Sequence, residues 1–550
     1  MKNLFLILSF LSFNYLFSQE RQLNIEIDTL LKTQCKNYEP GLSVGVVKDG
    51  KIIYHNQHGL ANLEYQIPIN DSTIFGIASI TKQFTSACIA VLEKRGLLNA
   101  NDAVRKYITQ LPYFGDTIRI KHLLNHTSGL RNHNVLLDLK GFDLRHQGYT
   151  NKMIEALTFI QKGVNNKPGE KMLYSNTNYV LLALIIKNVS GLNIADFSEK
   201  ELFIPLKMTN TFFKRDIEQI IKNRAYSYYN ENGIFKQPKS LTLCVGAGGI
   251  GSTIKDMAKW SAIFLNEDSK FSYIKSFLSR LDTLNNGSLM TSARGVFVSR
   301  YKGIETIHHG GRDLGMRSQF ICIPELSLSV TIFTNSEHIN ADQLSYQIID
   351  LFIKDKEQSI TKNTKPYQHK QKELNSFLGD YQELNSDLLL KIALVNDSLS
   401  AQSSFAKSPI TLVPKVKNKF QRLNDRSVSY IFDPASSDEA DLLVDFGGAT
   451  FYFEKVNLAR EKEINTKEYL GEFYSQELDV SYTITAKNNT LILNYPNNED
   501  IALTIGQTDE FGSGRRTKYS FIRNKNGNIN AFKLASEGTV KDILFIKNKY

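Results

Sequence analysis

The chain has 550 residues, 42% of them hydrophobic and 22% charged, the composition of a soluble globular protein with more than one core. Its net charge is +10, but the lysines are spread out and not gathered into a run with interleaved aromatics, which argues against nucleic acid as a partner. The four cysteines (Cys35, Cys88, Cys244, Cys322) lack C-x-x-C spacing and H-E-x-x-H is absent, so buried reduced thiols are expected, with no zinc site and no cofactor.

The N-terminus reads as a secretory signal over 1–19: Met1-Lys2-Asn3, an apolar run from Leu4 to Leu16, then Phe17-Ser18-Gln19. That run is too short to span a bilayer, and no transmembrane anchor is expected once it is cleaved. Leu42–Val47 and Lys51–His55 are β-rich runs joined by Asp49-Gly50, a hairpin signal. Ser79-Ile80-Thr81-Lys82 follows at a helix start, where i and i+3 share a face and a hydroxyl meets an amine. S-x-x-K also begins at Ser252, Ser272, Ser299, Ser359 and Ser404, so spacing alone does not select Ser79. Phe84 to Gly96 is helical, with Phe84, Ala87, Cys88, Val91 and Leu92 on one stripe.

Ile118–Leu124 runs into Asn125-His126-Thr127-Ser128-Gly129-Leu130, where His126 is read as closing a turn. Leu173-Tyr174-Ser175-Asn176 precedes an apolar helix, Tyr179–Val189, that stops at Ser190-Gly191. A glycine-rich stretch, Gly246 to Thr253, comes before Asp256 and Trp260. Strands return at Gly295–Val298, Ile304–His308, Ser318–Ile323 and Leu326–Thr334, and His308-His309-Gly310-Gly311 ends one of them. Strands from both ends with helices between give an α+β domain over 20–360. A polar, lysine-rich linker is expected over 361–372.

Beyond it the sequence repeats with a shift of 92 positions. Phe377-Leu378-Gly379-Asp380-Tyr381 matches Tyr469-Leu470-Gly471-Glu472-Phe473, and Phe453 and Lys455 match Phe545 and Lys547. Short alternating runs separated by Asn, Asp and Gly predict two small all-β, barrel-like units, over 373–460 and 461–550. No catalytic cluster stands out in either, so a structural or substrate-gating role is the expectation.

S-x-x-K at Ser79, Y-x-N at Tyr174-Ser175-Asn176 and H-x-G at His308 or His309, in this order, resemble the serine β-lactamase and penicillin-binding-protein-like superfamily. The likeness is greatest to its class C β-lactamase, D,D-peptidase, D-aminopeptidase and esterase branch. The H-T-S-G-L stretch at His126–Leu130 and the Gly246 segment add to a resemblance that covers roughly residues 35 to 345. The third motif fits in two registers, His308-His309-Gly310 and His309-Gly310-Gly311. The second is preferred because Gly315 supplies the family's further glycine. His308 then faces the opposite side of the strand.

The resemblance implies a β-lactamase/transpeptidase-like domain with Ser79 as nucleophile and Lys82 and Tyr174 as proton-transfer groups. An ammonium beside Tyr174 favours phenolate, and the choice between lysine and tyrosine as base stays open. Asn176 holds Lys82 or the substrate amide. The backbone N–H of Ser79 and that of Arg312 (Gly311 in the other register) form the oxyanion hole. His309 stands where many β-lactamases carry lysine and would contact substrate. Histidine is only partly charged at neutral pH, which shifts the expectation from antibiotic hydrolysis toward D-amino-acid peptides or amides, peptidoglycan-derived ones included. Esterase or β-lactamase activity, or a silent muropeptide-binding protein, are the alternatives. No G-x-S-x-G occurs, against an α/β-hydrolase. Oligomeric state is not indicated.

Overall fold

The computed structural model describes residues 21–548, apart from 240–241, 267–269, 354–366, 385, 425–427, 435–439, 447–449, 460–463 and 515. The signal expected over 1–19 and Ser359 lie outside the described residues, as does much of the linker. The linker's far end already belongs to a helix, Gln371–Ser376.

Both ends of the first domain contribute to one antiparallel sheet of six strands. Its order is Phe297–Tyr301, Ile304–Asp313, Met316–Ile323, Leu328–Thr334, Leu42–Lys48 and Lys51–His58. The Asp49-Gly50 turn has positive φ at both residues (51° and 76°), as the twist of a tight hairpin requires. One face of the sheet packs Val44, Val46, Val330 and Ile332 against Ile27, Leu31, Leu344 and Ile348, from the helix over 21–32 and the helix Ala341–Ile353. On the other, a side chain at Gly45 would meet Ile254, the first residue of the helix Ile254–Leu265. That helix buries Trp260 against Phe84 and donates its indole N–H to Gln83, so Asp256 and Trp260 belong to the scaffold.

Several sequence expectations shift; the strand expected at Leu326–Thr334, for one, begins at Leu328 after a 3-10 turn over Pro324–Leu326. The strand expected at Gly295–Val298 is Phe297–Tyr301, because Gly295 lies at φ 87° in a turn packed on Lys82 O. The His308–Gly311 stretch does not end its strand, which continues to Asp313. The helices begin earlier than their apolar stripes, at Thr81 and at Asn176, since the first turn of each carries polar residues. Gly191 caps the second in the left-handed region (φ 75°).

The C-terminal half forms two barrel-like sheets. Eight strands from Gly379–Glu383 to Thr450–Val456 close completely. Nine strands from Gly471–Ser475 to Val540–Lys547 form a sheet whose two edge strands, Asn498–Ala502 and Thr504–Ile505, adjoin in sequence. The repeat is visible at atomic level: Gly379 and Gly471 both have strongly positive φ (147° and 137°), and each lies under the matching lysine, Lys455 or Lys547.

The second unit docks on the helices around Tyr174 and shares a continuous hydrophobic core with them. Tyr482 OH donates to Leu139 O (2.6 Å) and Asn497 Nδ2 to Gly141 O (2.7 Å). At the centre of this interface Arg131 Nη1 donates to Glu477 Oε2 (2.6 Å), with side chains only 2% and 7% exposed. Among the described residues no single helix is long and apolar enough to cross a membrane.

Candidate active site

Ser79 lies in a 3-10 turn, Ala78–Ile80, that leads into the helix Thr81–Lys94. Ala78 is held at φ 47°, a conformation an alanine rarely adopts and one that strained functional turns retain. Ser318 Oγ fastens the turn by donating to Ile77 O (2.8 Å). The glycines of the third motif let the strand run against it. A Cβ at Gly311 would fall 2.6 Å from Ile77 O and 3.1 Å from the Ala78 side chain.

Lys82 is fully buried one helical step on. Its Nζ lies 3.1 Å from Ser79 Oγ, 2.8 Å from Asn176 Oδ1 and 2.9 Å from Ala247 O. Burial pulls its pKa down to about 7, against the weaker pull of nearby Cys244 and Asp313 in the other direction. The Asn176 and Ala247 atoms accept only. A neutral amine therefore gives its two N–H groups to them and turns its lone pair to the Ser79 hydroxyl.

The Ser79 hydroxyl beside Tyr174 draws its pKa down, yet burial outweighs that pull and holds the phenol well above the usual range. The expected phenolate is thus disfavoured: desolvation opposes charge on both groups, and it lowers the Lys82 pKa to about 7, so the ammonium that would stabilise a phenolate is only partly populated at neutral pH. The ring is placed by His126, stacked on it at 4.2 Å between centroids. His126 also accepts from Ser175 N–H (3.2 Å) and, through its carbonyl, from Leu173 N–H (2.9 Å). Turn closure is therefore half of what His126 does; it also buttresses Tyr174.

Asn176 begins the helix Asn176–Ser190 and its N–H donates to Asn132 Oδ1 (3.2 Å). Asn132 N–H in turn donates to Thr539 O of the C-terminal unit (3.3 Å). His309 is buried behind Tyr174, at 6.3 Å between centroids, beside Phe297 at 5.3 Å. Burial and then Lys82 hold its imidazole at a pKa of about 3. It is neutral and does not line the cavity, unlike the substrate contact expected of it. His308 points elsewhere, to Ser299 Oγ at 3.0 Å.

A cavity of about 450 Å³ opens in front of Ser79, walled by Asn176, Arg312 and Asp313, by the helix His133–Leu139 and the turn after it to Tyr149, and by the glycine-rich segment. All its wall residues come from positions 74 to 337, so no described residue of the C-terminal sheets reaches it directly. The glycine-rich segment carries no role that its sequence alone reveals. The segment supplies the Ala247 carbonyl to Lys82, and Gly246 O accepts from Thr85 Oγ1 (2.7 Å). A Cβ at Gly246 would strike Tyr179 O at 2.3 Å, so only glycine brings the segment this close. Among the described residues the other S-x-x-K serines lack this setting; Ser252, for example, bonds Thr211 Oγ1 in a scaffold strand.

A six-stranded antiparallel sheet, a helical lobe and a Ser-Lys-Tyr cluster at their junction define the fold shared by serine β-lactamases and penicillin-binding proteins. The chain belongs to the beta-lactamase family, whose profile matches residues 27–350. It is 30% identical over 302 residues to penicillin-binding protein 4* of Bacillus subtilis (strain 168), covering 52% of this chain and 66% of that protein. It is 27% identical over 339 residues to protein flp of Staphylococcus aureus (strain NCTC 8325 / PS 47), covering 59% and 66%. The chain thus spans slightly under two thirds of these relatives' length.

Among solved structures, the octameric penicillin-binding protein homologue from Pyrococcus abyssi superposes with a TM-score of 0.54 at 21% identity. It covers 86% of this chain and 98% of that one. The D-amino acid amidase from Ochrobactrum anthropi SV3, complexed with L-phenylalanine amide, gives 0.51 at 22% identity, covering 61% and 99%.

Proposed function

We propose that this chain is an exported serine hydrolase that forms an acyl-enzyme at Ser79 and acts on peptides or amides containing D-amino acids. The observation that carries the reading is the Lys82 amine 3.1 Å from Ser79 Oγ, whose two other partners are acceptors only; in its neutral form, reached with a pKa of about 7, its lone pair is left for the Ser79 proton. Lys82 takes that proton as Oγ bonds to the substrate carbonyl carbon. The carbonyl π electrons move to oxygen, and the resulting oxyanion is held by backbone N–H groups. When the C–N bond breaks, the neutral Tyr174 phenol gives its proton to the departing amine and is reprotonated from Lys82. Water then attacks the ester and the cycle runs in reverse.

Ser79 N–H is one oxyanion donor. The second is Arg312 N–H rather than that of Gly311. The two-residue turn Leu314-Gly315 makes Asp313 and Met316 the closing pair of its hairpin, and alternation then turns the Arg312 N–H away from Arg317. It points to the strand edge left free beyond His308, the last residue paired with Phe297–Tyr301.

One feature supports amides of D-amino acids over β-lactams: the fold neighbours include a D-amino acid amidase. Export rests on the N-terminal sequence of residues 1–19. A panel of D- and L-aminoacyl anilides, a short-chain nitrophenyl ester and a chromogenic cephalosporin tests the substrate class. Turnover of the D-anilides above their L-forms, with negligible cephalosporin hydrolysis, is expected; cephalosporin turnover exceeding amide turnover contradicts it.

A further inference from the structure

The residue that follows Arg312 puts a carboxylate in the substrate cavity. Asp313 lines the cavity and closes the Leu314-Gly315 hairpin opposite Met316. Residues paired across two strands face the same side, and Met316 faces the side of the nucleophile: a Cβ at Gly76 would fall 4.0 Å from Met316 Cγ. Alternation along the strand agrees, since a Cβ at Gly311, two residues before Asp313, would fall 3.1 Å from the Ala78 side chain. Asp313 is therefore carried about 7 Å along the strand from the Ser79 turn, on the face that looks into the cavity. Its charge bears on Lys82 beside the nucleophile and on Tyr149 and Cys244 of the cavity wall.

Acyl transfer does not use this carboxylate, and the chain does not pair it. One oxygen, Oδ1, caps the turn by accepting from Leu314 N–H (2.8 Å). Among the described residues Oδ2 has no hydrogen-bond partner, and no ammonium or guanidinium lies within ion-pair distance of it. Arg317 turns instead to Glu337 (3.6 Å) and to the main-chain oxygens of Asp313 (2.9 Å) and Met316 (2.8 Å). Arg312 is sent to the opposite face of the strand by alternation, where its charge bears on Asp342. Glu337, the other carboxylate of the wall, is the one that Arg317 engages. Burial raises the Asp313 carboxyl, as it does for an acid with no cation in contact.

Resting on the acyl-enzyme reading above, we propose that Asp313 binds the free α-ammonium of the substrate's acyl residue, so that the enzyme releases an N-terminal D-residue or hydrolyses a D-amino acid amide and disfavours N-acylated peptides. The scissile carbonyl oxygen sits on the N–H groups of Ser79 and Arg312, and the α-ammonium is two bonds from the carbonyl carbon. A carboxylate on the next residue of the same strand is placed for that ammonium. A charge-assisted hydrogen bond to Oδ2 supplies the pairing that the chain leaves open. An acylated nitrogen brings no charge to the same place and leaves the acid uncompensated.

The test compares three nitroanilides of D-alanine, with the amine free, acetylated or succinylated. The wild type is expected to favour the free amine over the acetylated form by about thirtyfold in kcat/KM. Asp313→Glu should keep that preference, whereas Asp313→Asn, which keeps an acceptor for Leu314 N–H, should lose it. Asp313→Lys should prefer the succinylated anilide to the free amine, an inversion misfolding cannot produce. A wild type that hydrolyses the acetylated form as well as the free one, or a preference that persists unchanged in Asp313→Asn, overturns the ammonium site alone. So does hydrolysis of none of the three while Ser79 still takes a covalent label. Hydrolysis of none, together with no covalent labelling of Ser79, overturns the acyl-enzyme reading as well.

Discussion

Lys82→Arg is expected to lower kcat/KM by about 10²–10⁴-fold, the usual contribution of a positioned general base. Arginine keeps a donor toward Asn176 Oδ1 and Ala247 O but cannot shed a proton in the working pH range, so it separates the base from the scaffold. In the wild type, kcat/KM should rise with pH through a pKa near 7 and level off above it, as the buried amine loses its proton. The sign follows from the chemistry: burial favours neutral Lys82, and only the neutral form accepts the Ser79 proton. A tyrosinate base would place the rise in the alkaline range instead, because burial raises the Tyr174 phenol. A profile flat from pH 5 to 9, or one that climbs only in the alkaline range, contradicts lysine as the base.

Glu477→Ala is expected to be the most destabilising single change at the interface between the second β unit and the helical lobe. Arg131 is buried there and donates to Glu477 Oε2, to Gln161 Oε1 (2.9 Å) and, through Nε, to Lys541 O (3.0 Å). Glu477 Oε2 also accepts from Lys162 N–H (2.7 Å). Removing the carboxylate strands a buried guanidinium at a cost of about 3–5 kcal/mol. Replacing both partners, Arg131→Met with Glu477→Leu, should recover most of that loss, since a buried pair exchanged for apolar groups is often neutral. Activity should fall with the single change, because Thr539 O, Asn132, Asn176 and Lys82 form one hydrogen-bonded line from this interface to Ser79. Denaturant unfolding and kcat/KM on both variants check it. A Glu477→Ala protein as stable as wild type contradicts the account of the interface.

What was legible in the sequence was local or periodic. Ser79 and Lys82 are one helical step apart, so their meeting follows from helix geometry once Tyr174, Asn176 and the third motif single them out. The repeat register survived into the fold because Gly379 and Gly471 keep the same backbone conformation under the same lysine. What was not legible depends on burial or on backbone atoms. The Ala247 carbonyl that holds Lys82 has no side chain to betray it. The phenolate expected of Tyr174 assumed a charged neighbour, whereas desolvation governs both groups. His309 stands in the motif position of a substrate contact, yet it is buried, with Tyr174 and Phe297 as its ring neighbours. Arg131 and Glu477, 346 positions apart, carry no shared pattern.

The most direct test is covalent. Wild-type protein treated with a fluorophosphonate or penicillin, digested and analysed by mass spectrometry should carry one adduct, on the peptide containing Ser79, and Ser79→Ala should carry none. An adduct that persists in Ser79→Ala, or a wild type that takes no label while an active relative does under the same conditions, contradicts the assignment of Ser79 as the nucleophile.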